Sequence, residues 1–340
     1  MKNRLPNVSP ETLRTLTDGW LLGHIHSIRP HQGGSFGSAK YAIESTEGRF
    51  LLKGRPRRAL SADRLKLMRS VMAMCLNAQL PVPELRPQAD GARHIEEADL
   101  VWELQTWMDG KSAHRGRRDA HASGIALAMF HRATRHHPAS NHSSGDSKVE
   151  FTSLLRHTIE RVTASKASLQ QLEELAGLAK IKSGERGVMD HPKQILHGDW
   201  HPKNLRMHAD GRVTGILDFD AARVDSVAHE LANAVLQISL RRPKGMARSQ
   251  WPADLHFQAG QKLTAAWRSR IGKPPPRGTW SMLPWLMIET IAVETLLPIA
   301  VWGEVPGINA QDWIKVGVET AEWIRKRSRA LAEALTPTHE

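Results

Sequence analysis

The sequence predicts an α+β chain in two lobes, a small antiparallel sheet followed by a larger, mainly helical part. Three observations carry that expectation. Up to about residue 108, short strand-like runs alternate with turn residues, and only two stretches look helical. From residue 109 to the end at 340, the apolar spacing is helical almost throughout. The exception is a hairpin signal near mid-chain, where His208-Ala209-Asp210-Gly211 separates two short strand-like runs.

The first part reads as follows. Ser9-Pro10-Glu11 is a helix start, with Ser as cap, Pro in the first turn and an acid beside the positive helix end. That helix should reach about Gly19. A strand is expected from His24 to Pro30, a Gly-rich loop over His31–Ser38, a second strand from Lys40 to Ser45, a turn at Thr46–Arg49, and a third strand over Phe50–Lys53. Ser61-Ala62-Asp63 caps a helix running to about Ala78, which Leu80-Pro81-Val82-Pro83 ends. Further strands are expected near Leu85 and over Leu100–Gln105.

The second part, 109–340, opens with an amphipathic helix over Ala120–Arg135, then a polar loop over His136–Lys148. Helices near Val149–Ser165 and Ser168–Ala179 lead to the hairpin, whose strands are Asn204–Met207 and Arg212–Leu217. Beyond Asp225 the pattern is helical, broken only from Gly272 to Gly278. No internal repeat is found.

Composition sets limits. The apolar fraction is 40% and the charged fraction 24%, which suits a globular chain. No uninterrupted apolar run reaches the ~20 residues of a membrane span; the longest, Ile291–Trp302, contains Glu294 and Pro298. The N-terminus shows no signal-peptide pattern. The one cysteine, Cys75, fits a reducing, cytoplasmic setting and reads as a buried thiol. Net charge is +12, and the first 70 residues hold 13 Lys/Arg against 5 Asp/Glu. The densest run is Lys53-Gly54-Arg55-Pro56-Arg57-Arg58. Such a patch could attract nucleic acid, anionic lipid or a phosphate-rich nucleotide, but no zinc-finger or RNA-recognition pattern accompanies it, so surface charge is the default reading.

The most specific chemistry lies at mid-chain. In Leu196-His197-Gly198-Asp199-Trp200-His201-Pro202-Lys203-Asn204, an Asp is followed five residues later by an Asn, and Asp218 comes fourteen residues after that. One carboxylate to take a proton, with an amide and a second carboxylate to hold Mg²⁺, is what phosphoryl transfer needs. A hairpin returns its ends to one place, so Asn204 and Asp218 are expected to face a common metal.

His-Gly-Asp, an Asn, a hairpin and Asp218-Phe219-Asp220 in this order resemble the aminoglycoside phosphotransferase/choline kinase family. That resemblance implies a two-lobed protein-kinase-like fold and a kinase that uses ATP and Mg²⁺ to phosphorylate a hydroxyl of a small molecule: an amino alcohol, an amino sugar, a sugar or a homoserine-like compound. It implies Asp199 as catalytic base and Asn204 and Asp218 as metal ligands. Gly33, Gly34, Ser35 and Gly37 would approach phosphates, because glycine permits tight turns, and Lys53 would neutralise them, with Arg55 as an alternative cation. Glu103 and Gln105 resemble the inter-lobe hinge whose backbone meets adenine. His201 or Lys203 would supply charge near the γ-phosphate, and His197 would support the loop. Asp220 is either a second acceptor or a partner of Arg223. Asp225 and Glu230 resemble residues that brace the catalytic loop.

One feature departs from the family pattern. A Glu on the small-lobe helix usually pairs with the strand-borne Lys, yet none occurs from Arg55 to Pro83. Asp63 is the sole acid there, and is either that partner or a plain helix-start residue. A kinase-fold nucleotide-binding protein with little catalysis, or a Ser/Thr protein kinase of the same fold, is therefore the alternative. The acceptor is expected against the helical part beyond Asp218, where seven of the eleven Trp lie, from Trp251 onward. Glu289 and Glu294, in an otherwise apolar helix, either face a cavity there or lie on a solvent face. Neither a membrane nor a nucleic-acid partner is expected.

Overall fold

The computed structural model describes residues 8–31, 38–137, 151–161, 165–188, 191–273, 275–276 and 278–337. The chain forms two compact units. The first comprises Met1–Lys111, Arg206–Ala209 and Thr214–Asp220, and the second Ser112–Leu205, Asp210–Val213 and Ala221–Glu340.

In the first unit, α1 (Pro10–Asp18) starts as expected, with Ser9 Oγ accepting from the Thr12 N–H at 3.0 Å. The sheet contains β1 (Ile25–Pro30), β2 (Ala39–Ser45), β3 (Gly48–Pro56), β4 (Leu85–Arg86), β5 (Ile95–Glu97) and β6 (Leu100–Thr106). Its order is β1-β2-β3-β6-β4, with β5 also on β6, and the pairings are antiparallel. β5 is absent from the sequence reading because two of its three residues are charged. Leu16, Trp20, Ile43, Leu52, Trp102 and Leu104 form the core between α1 and the sheet. Gly54 faces Trp102 so closely that a Cβ there would lie 2.7 Å from the indole. α2 (Ala62–Asn77) is capped by Ser61, whose Oγ accepts from the Arg64 N–H. It buries Leu65, Met68, Val71, Met72 and Cys75. Burial pushes the Cys75 thiol up to about 12, which makes it inert.

The chain then passes through β7 (Lys111–Ser112) to α3 (Arg117–Thr134), α4 (Phe151–Arg161) and α5 (Lys166–Gly184). The loop read over His136–Lys148 lies almost wholly outside the described residues, as does the Gly-rich segment 32–37. β8 (Lys193–Leu196) leads into the segment His197–Asn204. The expected hairpin forms from β9 (Leu205–Met207) and β10 (Val213–Ile216), turning at Gly211, which has φ +88°. β11 (Arg223–Ser226) returns antiparallel to β8, pairing Arg223 with Leu196 and Ser226 with Lys193.

The helices α6 (Val227–Ser239), α7 (Phe257–Arg270), α8 (Thr279–Trp302), α9 (Ala310–Lys326) and α10 (Ser328–Leu335) complete the second unit. The break expected between Gly272 and Gly278 falls between α7 and α8. Residues 240–256, expected to be helical, instead form an irregular loop closed by a Leu240–Leu255 bridge, since Pro243, Gly245 and Pro252 interrupt any helix. α3 packs on α7, where Gly124 allows the close approach: a Cβ there would meet the Leu263 carbonyl at 2.3 Å. By length and composition α8 could cross a membrane, which corrects the run-length argument above. Its packing against α4, α5, α6, α9 and α10 accounts for that apolar surface.

Candidate active site

The first unit contributes an ion-pair network around Lys53. β2 and β3 place Lys40 opposite Lys53, and both ammonium groups reach Asp218: Lys53 Nζ lies 2.8 Å from Oδ1 and Lys40 Nζ 3.4 Å from Oδ2. Lys53 also meets Asp220 at 2.8 Å. Burial opposes charge on Asp218, but Lys53, Lys40 and Arg55 outweigh it and hold the carboxyl well below the usual range. Burial and the neighbouring Lys53 lower Lys40. Asp218 sits at φ +66°, a left-handed conformation uncommon for a residue with a side chain.

The network continues away from Lys53. Arg55 bonds Asp220 at 2.9 Å through Nε and Glu103 at 2.6 Å through Nη1. Glu103 accepts a further bond from Arg69 Nε of α2 at 2.8 Å. Arg64, also on α2, donates to the Asp220 carbonyl. The helix thus approaches Lys53 with arginines where a Glu would stand. Asp63 is exposed in the first turn, while the Lys53 side chain is 3% exposed and bound by Asp218 and Asp220. Asp63 therefore does not take the missing partner's place. The basic run also reads differently: Lys53 and Arg55 point inward and are neutralised, leaving Arg57 and Arg58 exposed.

Glu103 and Gln105 do not sit at a free strand end. Gln105 is paired with Leu51 on one side and Leu85 on the other, and Glu103 lies opposite Lys53 with its carboxylate taken by two arginines. The expectation that their backbone meets a base is corrected on that ground. Gly33, Gly34, Ser35 and Gly37 lie outside the described residues.

The second unit holds the segment His197–Asn204, in which the catalytic residues are expected. Asn204 Nδ2 donates to both the carbonyl and Oδ2 of Asp199, each at 2.9 Å. Asn204 is buried, whereas the Asp199 carboxylate is 43% exposed. His201 Nε2 lies 3.7 Å from Asp199 Oδ2, and its Nδ1 accepts from the Lys203 N–H. Burial lowers the His201 pKa, partly offset by Asp199. Lys203 is exposed.

Beneath this loop, His197 packs between Phe130 and Trp200, and its Nδ1 accepts from the Asp199 N–H. Glu230 of α6 is the brace. Its carboxylate accepts from the backbone of His197 at 3.1 Å and Gly198 at 2.6 Å, and from His131 Nε2 at 2.8 Å. The Trp267 indole only donates, and it bonds His131 Nδ1 at 3.0 Å. His131 therefore carries its proton on Nε2. Burial opposes charge on Glu230, but the bond from His131 keeps its pKa lowered. Gly198, at φ +81°, has no room for a side chain, since a Cβ would meet the Ala221 carbonyl at 2.0 Å.

Glu289 and Glu294 have separate settings. Glu289 accepts from Ser183 of α5, whereas Glu294 accepts twice from Gln237 of α6, at 2.6 and 2.8 Å. Burial, then the charge of Asp199, push Glu294 up to about 7. Sequence reasoning missed Lys40, Arg69 and His131, whose roles depend on distant neighbours. It listed Glu230 and Arg55 without their partners.

Fold and site together define a kinase-like phosphotransferase. Residues 27–268 match the profile described as the Phosphotransferase enzyme family, so the chain belongs to that family. Among solved structures it is similar to a microcompartment-associated aminopropanol kinase, with a TM-score of 0.72 at 16% identity over 96% of this chain and 100% of the other. It is also similar to an aminoglycoside phosphotransferase from Alicyclobacillus acidocaldarius, with a TM-score of 0.67 at 14% identity, covering 98% of each chain. Amicoumacin kinase, solved with AMP-PNP and Ca²⁺, gives a TM-score of 0.66 at 11% identity over 100% of this chain and 98% of the other. At these identities the likeness is one of fold. No curated protein sequence matches this chain.

Proposed function

We propose that the protein transfers the γ-phosphate of ATP to a hydroxyl of a small molecule, with Asp199 as the base. The observation that carries this reading is the Asn204 clamp. It fixes the Asp199 carboxylate and main chain together while leaving that carboxylate accessible. In the reaction the acceptor hydroxyl gives its proton to Asp199 as its oxygen bonds the γ-phosphorus. The bond from that phosphorus to the β–γ bridging oxygen breaks, and ADP leaves.

The residues suit Mg²⁺. The ligands implied by the family resemblance are Asn204 and Asp218: Asn204 uses its amide nitrogen on Asp199, so its carbonyl oxygen is available to a cation, and Asp218 carries carboxylate oxygens. Oxygen donors from one or two side chains, completed by phosphates and water, are the usual Mg²⁺ setting. No cluster of three His, Cys, Asp or Glu occurs among the described residues, as that setting allows. Mg²⁺ there would neutralise phosphate oxygens. Lys53 would take the α- and β-phosphates once released from Asp218, with Lys40 beside it. His201 would add a donor near the transferred group.

For the acceptor, Glu294 and Asp199 supply negative charge on the helical side, which suits an amine-bearing alcohol. Relatives in fold include kinases of aminopropanol, choline and ethanolamine. The test is a hydroxyl-compound panel scored by ADP release, with Asp199→Ala as control. Turnover absent across the panel, or equal in Asp199→Ala, would sink the reading. A nucleotide with Mg²⁺ should also raise the melting temperature.

A further inference from the structure

A donor-rich group of side chains lies in the second unit, next to the segment that carries Asp199 and Asn204. Loop 113–116 is pinned at both ends. The Ala113 N–H bonds the carbonyls of Pro202 and Leu205, each at 3.1 Å, and the Gly116 N–H bonds the Ile238 carbonyl at 2.7 Å. Arg115 is therefore held between the catalytic loop and the end of α6. Its Nη1 and Nη2 reach Gln237 Oε1, each at 3.1 Å, and Nη1 also donates to the Gln237 carbonyl. Gln237 in turn bonds Glu294.

Arg242 completes the group from loop 240–256. Its Nη1 bonds the carbonyls of Arg241 at 2.9 Å and Pro252 at 3.2 Å, and its guanidinium lies 4.7 Å over the Trp251 ring. This holds the guanidinium in place through one nitrogen and one face. The edge formed by Nε and Nη2 has no partner among the described residues. That edge presents two parallel N–H groups, the fork that a carboxylate matches. The indole N–H of the same Trp251 is buried without a partner among the described residues.

The charges here favour binding of an anion. Arg242 is lowered to about 10, by burial first and then by Arg115, against the opposing pull of Glu294 and Asp254. Burial likewise lowers Arg115, with Glu294 as its counter-charge. Two partly buried guanidiniums that repel each other are unfavourable unless an anion joins them. Glu294 brings a single carboxylate against the two guanidiniums, and both of its oxygens already accept from Gln237.

We propose that the acceptor is a hydroxy amino acid or a close analogue, its carboxylate held by the open edge of Arg242 with Arg115 and its ammonium facing Glu294. This deepens the phosphotransferase reading and rests on it. It adds an anionic group that an amino alcohol lacks. The opposing structural account is that Arg242 and Arg115 only staple their own loops.

Matched pairs differing by one carboxylate separate the two accounts: threonine against 1-amino-2-propanol, serine against ethanolamine, homoserine against 3-amino-1-propanol. Their kcat/KM values by ADP release are compared in wild type, Arg242→Met and Arg242→Lys. The expected result is a preference of about tenfold or more for the carboxylate member of at least one pair. It should appear mainly in KM, narrow in Arg242→Met, and be poorly restored by Lys, which lacks the fork. Equal use of both members, preference for the amino alcohol, or an unchanged ratio in Arg242→Met overturns the proposal. So does turnover of no pair by a wild type that nucleotide and Mg²⁺ still stabilise thermally; that outcome leaves the phosphotransferase reading standing. Failure of nucleotide to stabilise the protein would instead remove the underlying reading.

Discussion

Arg69 of α2 donates from Nε to the buried carboxylate of Glu103 at 2.8 Å. Through Glu103, Arg55 and Asp220, the helix is connected to Lys53 by alternating charges. The kinase-like helix that ordinarily offers an acid to this lysine here carries an arginine bound to Glu103 of β6, and the acids on the lysine are Asp218 and Asp220. Glu103→Gln should therefore destabilise the protein by about 3 kcal/mol, because it leaves buried guanidinium charge uncompensated. Urea denaturation of the variant, with wild type alongside, measures the loss. A change within about 0.5 kcal/mol would mean the network is dispensable.

Asp199→Asn is expected to lower kcat by about a hundredfold or more, with little effect on melting temperature, since the carboxylate is 43% exposed. Asn204→Ala should impair both catalysis and the Mg²⁺ dependence of nucleotide binding, because it removes the clamp and an oxygen donor together. Parallel activity and thermal-shift measurements distinguish the two variants.

Two carboxylates should act on stability in opposite pH directions. Asp218 has a lowered pKa when folded, so its contribution is present above the ordinary value of 3.8 and is lost as pH falls below it. Asp218→Asn should make the acid arm of the stability profile shallower. Glu294 is raised from 4.5 to about 7, so the folded state keeps a proton that the unfolded chain releases. Stability from this group falls as pH rises through that window, and Glu294→Gln should flatten the slope. Melting temperatures across pH 3 to 8, roughly the span covering both groups, test both signs.

Gly198→Ala should cost at least about 1–3 kcal/mol. It meets both a left-handed backbone and the Ala221 carbonyl at 2.0 Å from the added carbon. Wild-type stability in this variant would show that the loop at Gly198 can move aside.

Local signals carried much of this structure. Ser9, Ser61 and Asp210-Gly211 act on neighbours within a few residues, so the caps and the hairpin were legible directly. The order of Asp199, Asn204 and Asp218 was legible as motif spacing. What escaped the sequence depends on partners far along the chain. Arg69 and Glu103 are 34 residues apart, and His131 and Glu230 are 99 apart. Nothing in local spacing says that an arginine at position 69 will stand where an acid was sought. The irregular loop 240–256 was misread because helical segments on both sides masked its prolines. Glu294 could be flagged as an acid in an apolar helix, but its distinction from Glu289 required knowing that one meets Gln237 and the other Ser183.

The first unit is not contiguous in sequence: Asp218 and Asp220 belong to it, though more than a hundred residues separate them from Lys111. A fragment ending at Lys111 would keep the whole six-stranded sheet yet lose both acids that neutralise Lys53, along with one of the two on Arg55. Such a fragment should be insoluble or unfolded when produced alone, and a genetic split of the chain should tolerate only a break point that leaves residues 206–220 tethered to the sheet.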